Sequence, residues 1–116
     1  LEYIEKFPRD FIILNGADAY ILPALIMGVA GAMSAYSNAF PELYVSLYDL
    51  FKKGDYNKAR EVQFKINLTR RILRLHAQPF IQPVKEAMKM RGIPGGFAKR
   101  PLRPMTEHRS MILDPD

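Results

Sequence analysis

Apolar positions along the chain follow two rhythms, short unbroken runs near the start and three-and-four spacing afterwards. Leu1, Ile4 and Phe7, set among charged neighbours, predict the last turns of a helix that Pro8 stops. Phe11-Ile12-Ile13-Leu14 is apolar without a break and closes on Asn15-Gly16-Ala17-Asp18, the pattern of a buried parallel strand followed by a turn. A short helix is expected over Ala19 to Leu25, carrying Pro23 inside it and ending at Gly28. A second strand is expected over Val29 to Ala35, where small residues let neighbouring backbones come close. The order is one βα unit followed by another strand.

Helices dominate the rest. Pro41 suits the first turn of a helix through Phe51, with Leu43, Leu47, Leu50 and Phe51 on one face and Gly54 as the stop. Asp55 is a good N-cap for a long helix to about Leu75, along which Ala59, Val62, Ile66, Thr69, Leu73 and His76 form one stripe. Pro83 starts a further helix with Val84, Ala87, Met88 and Arg91, ended by Gly92. An irregular stretch rich in proline and glycine follows, and Thr106 is the expected cap of a final short helix.

Composition narrows the class. With 116 residues, 48% hydrophobic and 25% charged, the chain is globular and is one domain or a piece of one. It has no Cys, which excludes a disulfide scaffold, thiolate zinc sites and cysteine nucleophiles and makes a cytoplasmic setting the expectation. Nothing at the start resembles a secretory leader, and the chain is expected to begin partway through a longer element. The net charge of +5 is uneven: Leu1 to Tyr48 holds two basic and five acidic residues, the remainder fifteen and seven. Those basic residues interleave with apolar ones as on a solvated helix face, with no groove-reading motif, so nucleic acid is not the expected partner. The run from Ala19 to Pro41 carries no charge, yet Pro23, Gly28, Gly31, Ser34, Ser37 and Asn38 interrupt it. Helix plus buried strand accounts for it, and no membrane span is expected.

The candidate chemistry is sparse. Gly28-x-x-Gly31 lacks the third glycine of a dinucleotide site. His76 has no second ligand three or four residues away and is expected as a core or interface residue, His108 as a surface one, so no metal and no cofactor is expected. Met27, Met33, Met88 and Met90 are expected to fill the core. Lys85, on a helix among apolar residues, could be a Schiff-base amine, but a stem packed on apolar surface with its ammonium in water or paired is the favoured reading. Asp18 and Asn38 each follow a predicted parallel strand, where α/β barrels build their sites, although Asp18 serves equally well as an N-cap.

Taken in order, several signatures carry a family resemblance: Phe11 to Asp18 (FIILNGAD), Leu22 to Ser34 (LPALIMGVAGAMS), then Asn38, Pro41, Gly54-Asp55, Ala59, Pro83 to Ala87 (PVKEA), Gly92, Arg100 to Leu102 and Pro104 to Thr106. From about Leu1 to Arg109 the chain resembles the C-terminal part of the dihydrodipicolinate synthase and N-acetylneuraminate lyase family, pyruvate-dependent class I aldolases. The resemblance implies an α/β fold, the C-terminal portion of a (β/α)8 TIM barrel. Phe11 to Leu14 would be strand seven and Val29 to Ser34 strand eight. Residues 1–53 would be the last βα units and 54–116 a helical C-terminal extension, in a chain that is itself mostly α-helical.

The same resemblance implies chemistry: a 2-keto acid such as pyruvate condensed with, or cleaved from, an aldehyde through a lysine Schiff base, without cofactor. The family's lysine and proton-relay tyrosine lie on earlier strands, which leaves no catalytic residue expected in this chain and an inert segment when alone. Substrate-facing positions carried over are Gly16, which borders the keto acid, Asp18, Met33, whose carbonyl faces the lysine, and Asn38. Ala19 breaks the acidic pair of sialic-acid-cleaving members, which speaks against that cleavage, and Lys85 matches a recurring lysine of the extension. The N-terminal remainder of the barrel is the expected partner, with further copies of the chain in a family that is commonly tetrameric. The rival expectation is a basic helical interaction module that binds an acidic protein or nucleic acid.

Overall fold

The computed structural model describes residues 2–76 and 81–102 of the chain. The order is α1 (Glu2–Lys6), β1 (Leu14–Asn15), a 3-10 turn at Asp18–Tyr20, α2 (Ile21–Ile26), β2 (Gly31–Ala32), a second 3-10 turn at Tyr36–Asn38, then α3 (Pro41–Lys52), α4 (Tyr56–His76) and α5 (Ile81–Met90). The strands pair in parallel, Leu14 against Gly31 and Asn15 against Ala32. Two flanking bonds extend the ladder, from Ala30 N to the Ile13 carbonyl and from Met33 N to the Asn15 carbonyl, both 2.9 Å.

Both strands are shorter than the apolar runs that predict them. Ile12 is 73% exposed, and Phe11 and Leu14 are exposed as well. A continuous apolar strand expects cover on both faces, and within the described residues the sheet has two strands, whose side chains lie outside the buried helical core. The expectation of a buried strand over Phe11 to Leu14 is therefore not met within this chain. The methionines depart from expectation for the same reason. Met27, Met33 and Met90 are exposed, and only Met88 of the four packs on a core cluster.

The helices follow the sequence closely. Gly54 (φ 77°) ends α3 in a left-handed turn whose two bonds, Gly54 N to the Phe51 carbonyl and Asp55 N to the Leu50 carbonyl, close a Schellman motif. Gly28 ends α2 and Gly92 ends α5 with the same pair of bonds. Asp55 caps α4 as expected, its Oδ1 accepting from Lys58 N at 3.2 Å. α5 begins at Ile81, two residues before the predicted start, with Pro83 in its first turn. The final helix at Thr106, His108 and the side chain of His76 lie outside the described residues.

Two core clusters hold the helices together. Ile21, Leu22 and Leu25 of α2 meet Leu47 of α3 and Ala59 and Ile66 of α4; Leu47 is fully buried, an enclosure that contributes about 2 kcal/mol. Tyr36, Ala39, Leu73, Val84 and Ala87 form the second cluster, and Tyr44 touches both. The first cluster crosses from residues 1–53 into 54–116, so the two parts share one interior.

Candidate functional site

The carboxyl ends of β1 and β2 carry three of the four carried-over residues. Asn15, the last residue of β1, folds back on its own turn: its Nδ2 donates to the Ala17 carbonyl at 2.8 Å and its Oδ1 accepts from Ala17 N at 3.3 Å. This Asx turn presents Gly16, which is exposed with open space where a side chain would stand. Across the ladder Met33 leaves β2 with its amide on the Asn15 carbonyl and its side chain 73% exposed. Gly16 and Met33 are thus brought side by side by the parallel register.

Asp18 lies in the same turn but points inward and is only 8% exposed. Burial pushes its carboxyl above the ordinary range, while the Ser34 hydroxyl and the Arg70 guanidinium pull it back down. Tyr44, also facing Ser34, is pushed up to about 12, mainly by burial. Asn38 is not part of this group. It ends the second 3-10 turn, donates from Nδ2 to the Ala35 carbonyl at 2.9 Å, and lines a groove with Ala35, Val84, Lys85 and Gly95 on the side of α5.

The C-terminal helices hold both turns, a feature that sequence spacing did not single out. Gln63 of α4 is buried and spans the first turn, accepting from Leu22 N at 2.9 Å and donating to the Asp18 carbonyl at 2.9 Å. Arg91, just past the end of α5, donates to the Ala39 carbonyl at 2.6 Å, beyond the second turn, and pairs through both Nη atoms with Glu42. That pairing holds the Glu42 carboxyl down at about 2. Lys85 donates to the Gly95 carbonyl at 2.5 Å and Ala98 N to Gln82 Oε1 at 2.8 Å, strapping residues 93–98 onto α5. The lysine is paired rather than free, in line with the favoured reading of it. Asparagine before glycine, and a glutamine among the apolar positions of a helix, were the legible hints.

Beside Ser34 an open groove of about 370 Å³ runs between the sheet and α3, lined by Leu14, Ala32, Ser34, Ser37, Tyr44 and Tyr48. Among the described residues no group of three or more His, Cys, Asp or Glu could hold a metal, and no helix is long and apolar enough to cross a membrane. The arrangement is a rim: backbone amides and carbonyls at two parallel strand ends, a buried carboxylate behind them, and helices that pin both turns.

A model of the dihydrodipicolinate synthetase family matches residues 1–114. The chain belongs to that family. It is 35% identical over 111 residues to a 4-hydroxy-tetrahydrodipicolinate synthase of Methanopyrus kandleri, covering 96% of this chain and 36% of that enzyme. Among solved structures it superposes on an E. coli K12 prophage protein of the dihydrodipicolinic acid synthase family in complex with pyruvate. That match has a TM-score of 0.79 and 29% identity and covers 90% of this chain and 35% of that one. The sialic acid aldolase of Ruminococcus gnavus shares the fold, with a TM-score of 0.91 at 23% identity over 98% of this chain and 38% of its own. Family members of this kind are TIM-barrel proteins, and this chain spans a little over a third of the length of the relatives it matches. Its small parallel sheet and helical majority are what a portion of such a barrel presents.

Proposed function

We propose that this chain supplies the last two strands, part of the pocket rim and the helical extension of a pyruvate-dependent Schiff-base aldolase or lyase. In that reading β1 is strand seven and β2 strand eight of the barrel, residues 1–53 complete the barrel and 54–116 form the extension. The observation that carries the reading is the parallel register of β1 and β2, which sets Gly16 beside Met33 at their carboxyl ends in a chain of this family. Barrel enzymes build their sites at that end of the strands.

The roles are those the family resemblance implies, and the placement of the residues supports them. Gly16, with no side chain in the way, lets a keto acid approach the backbone of the first turn. The Met33 carbonyl orients a lysine contributed by the rest of the barrel, a task that needs position rather than a particular side chain. Asp18 and Asn38 complete the rim within their turns. The lysine nitrogen attacks the keto carbon, water leaves, and the iminium draws electrons from the adjoining carbon so that a bond to an aldehyde forms or breaks. The exposed apolar residues around the sheet, Phe11, Ile12, Leu14 and Met33, support the same reading, since neighbouring barrel strands would cover them. The remaining partners in this proposal are a 2-keto acid, an aldehyde and further copies of the chain.

The test is intact-mass spectrometry after pyruvate and borohydride, which reduces a Schiff base to a stable adduct. The chain alone is expected to stay unmodified. Joined to the upstream barrel of a family member, the assembly is expected to gain one pyruvate-derived adduct on the upstream part. An adduct on the isolated chain, at Lys85 or another of its lysines, would overturn the assignment.

A further inference from the structure

Beside its apolar stripe α4 carries a polar one. Gln63, Asn67, Arg70 and Arg74 recur at steps of four, three and four and so share a face. Gln63 Nε2 donates to the Asp18 carbonyl, and Asn67 Nδ2 reaches the Ala19 carbonyl at 3.5 Å. One turn further on, the Arg70 guanidinium lies over the Tyr36 ring, 6.0 Å from its centroid, and is near enough to the Asp18 carboxyl for its charge to lower that group's proton affinity. Arg74 in turn acts on Tyr36.

Asp18 Oδ1 and Arg70 Nε are both shut off from solvent, and neither has a hydrogen-bond partner among the described residues. A buried carboxylate is tolerated where an opposite charge faces it. The groups around this one are Ser34 and Tyr36 from the segment after β2, Tyr44 from α3 and Arg70 from α4, with Arg74 acting on Tyr36 behind them. Arg70 is the cation that acts on Asp18 itself. It touches no candidate substrate position, yet it stands where the turn after β1 meets the segment after β2.

We propose that Arg70 is a positioning residue for the rim: it holds the buried Asp18 carboxylate as its counter-charge and the Tyr36 ring as its platform, and thereby fixes the two strand-end segments against each other. The inference rests on the rim reading above and refines it. Asp18 serves from the inside, through the turn it anchors, and its carboxylate does not reach the aldehyde. The extension then sets the separation of Gly16 from Met33.

The experiment is a carbon-detected NMR titration of the Asp18 carboxyl in the full chain, together with amide exchange, for the wild type, Arg70→Lys and Arg70→Met. Arg70→Met is expected to raise the Asp18 midpoint, since the charge that lowers it is gone, and Arg70→Lys to bring it part of the way back. Exchange at the Tyr20 and Ala39 amides, which bond within the two turns, is expected to quicken about tenfold while Leu47 and Ile66 keep their protection. An unmoved Asp18 midpoint, or equal quickening at Leu47 and Ile66, overturns the proposal. Should Arg70→Met not fold, Asp18→Asn removes the other charge of the pair: it must quicken Tyr20 and Ala39 selectively, and unchanged exchange at both overturns the proposal equally. The titration involves no turnover, so its failure and a failure of the borohydride trap are read separately.

Discussion

Gln63→Leu removes the side chain through which α4 grips the turn after β1. Its Oε1 accepts from Leu22 N and its Nε2 donates to the Asp18 carbonyl, both at 2.9 Å and both buried. Leucine matches the shape but offers neither atom, so one backbone N–H and one backbone carbonyl are stranded. A stranded buried group costs about 1–3 kcal/mol, so the pair costs about 2–6 kcal/mol. The added apolar burial of leucine returns about 1 kcal/mol. The expected net loss is about 1–5 kcal/mol, a large part of the roughly 5–15 kcal/mol that holds a domain together. It corresponds to a fall in Tm of about 10 °C for a chain of this size. Urea unfolding followed by far-UV circular dichroism measures the loss, and amide exchange locates it at Leu22. Asn67→Ala, which loses the 3.5 Å bond to the Ala19 carbonyl and the 3.2 Å bond from Gln63 Nε2 but leaves Leu22 N and the Asp18 carbonyl on Gln63, is the control and is expected to cost about 1 kcal/mol. A loss below about 0.5 kcal/mol for Gln63→Leu, with Leu22 protected as before, would refute the reasoning.

Two further outcomes follow from the extension. A methyl group added at Gly95 would stand 3.0 Å from the Lys85 carbonyl oxygen and 3.2 Å from its Cα, and neither backbone atom can give way within a helix. Gly95→Ala is therefore expected to lift the strap off α5 at a cost of about 1–3 kcal/mol, seen as a lower unfolding midpoint and loss of protection at the Ala98 amide; an unchanged midpoint would sink the idea. Glu42, held at about 2 by Arg91 against an ordinary 4.5, binds a proton first in the unfolded chain. Its contribution is present above pH 4.5 and is lost as pH falls toward 2, so wild type and Glu42→Gln should converge in stability on acidification. Curves that stay parallel would count against it, and because the pair is exposed, added salt should narrow the gap at neutral pH. Asp18 works in the opposite sense, since its raised carboxyl weakens the fold above its ordinary value and protonation relieves it.

Local pattern was enough for the elements that depend on neighbours along the chain. Three-and-four spacing, Pro41, Gly54, Asp55 and Gly92 set α3, α4 and the end of α5, because capping and amphipathic faces are local properties. The family was legible as well, through short signatures held in order across the chain. Tertiary structure alone decided how much of each apolar run becomes strand, since a ladder exists only where a partner lies alongside: Leu14–Asn15 and Gly31–Ala32 pair, and Phe11 and Ile12 do not. It also decided which way Asp18 faces. In the sequence that residue was equally a cap or a rim ligand; in the fold its carboxyl is buried, with the Ser34 hydroxyl and Arg70, fifty-two positions later in the numbering, acting on it. Gln63 is the same lesson on α4. Its place among the apolar positions of the helix hints at burial, but which groups it satisfies is set only when the turn after β1 folds against it.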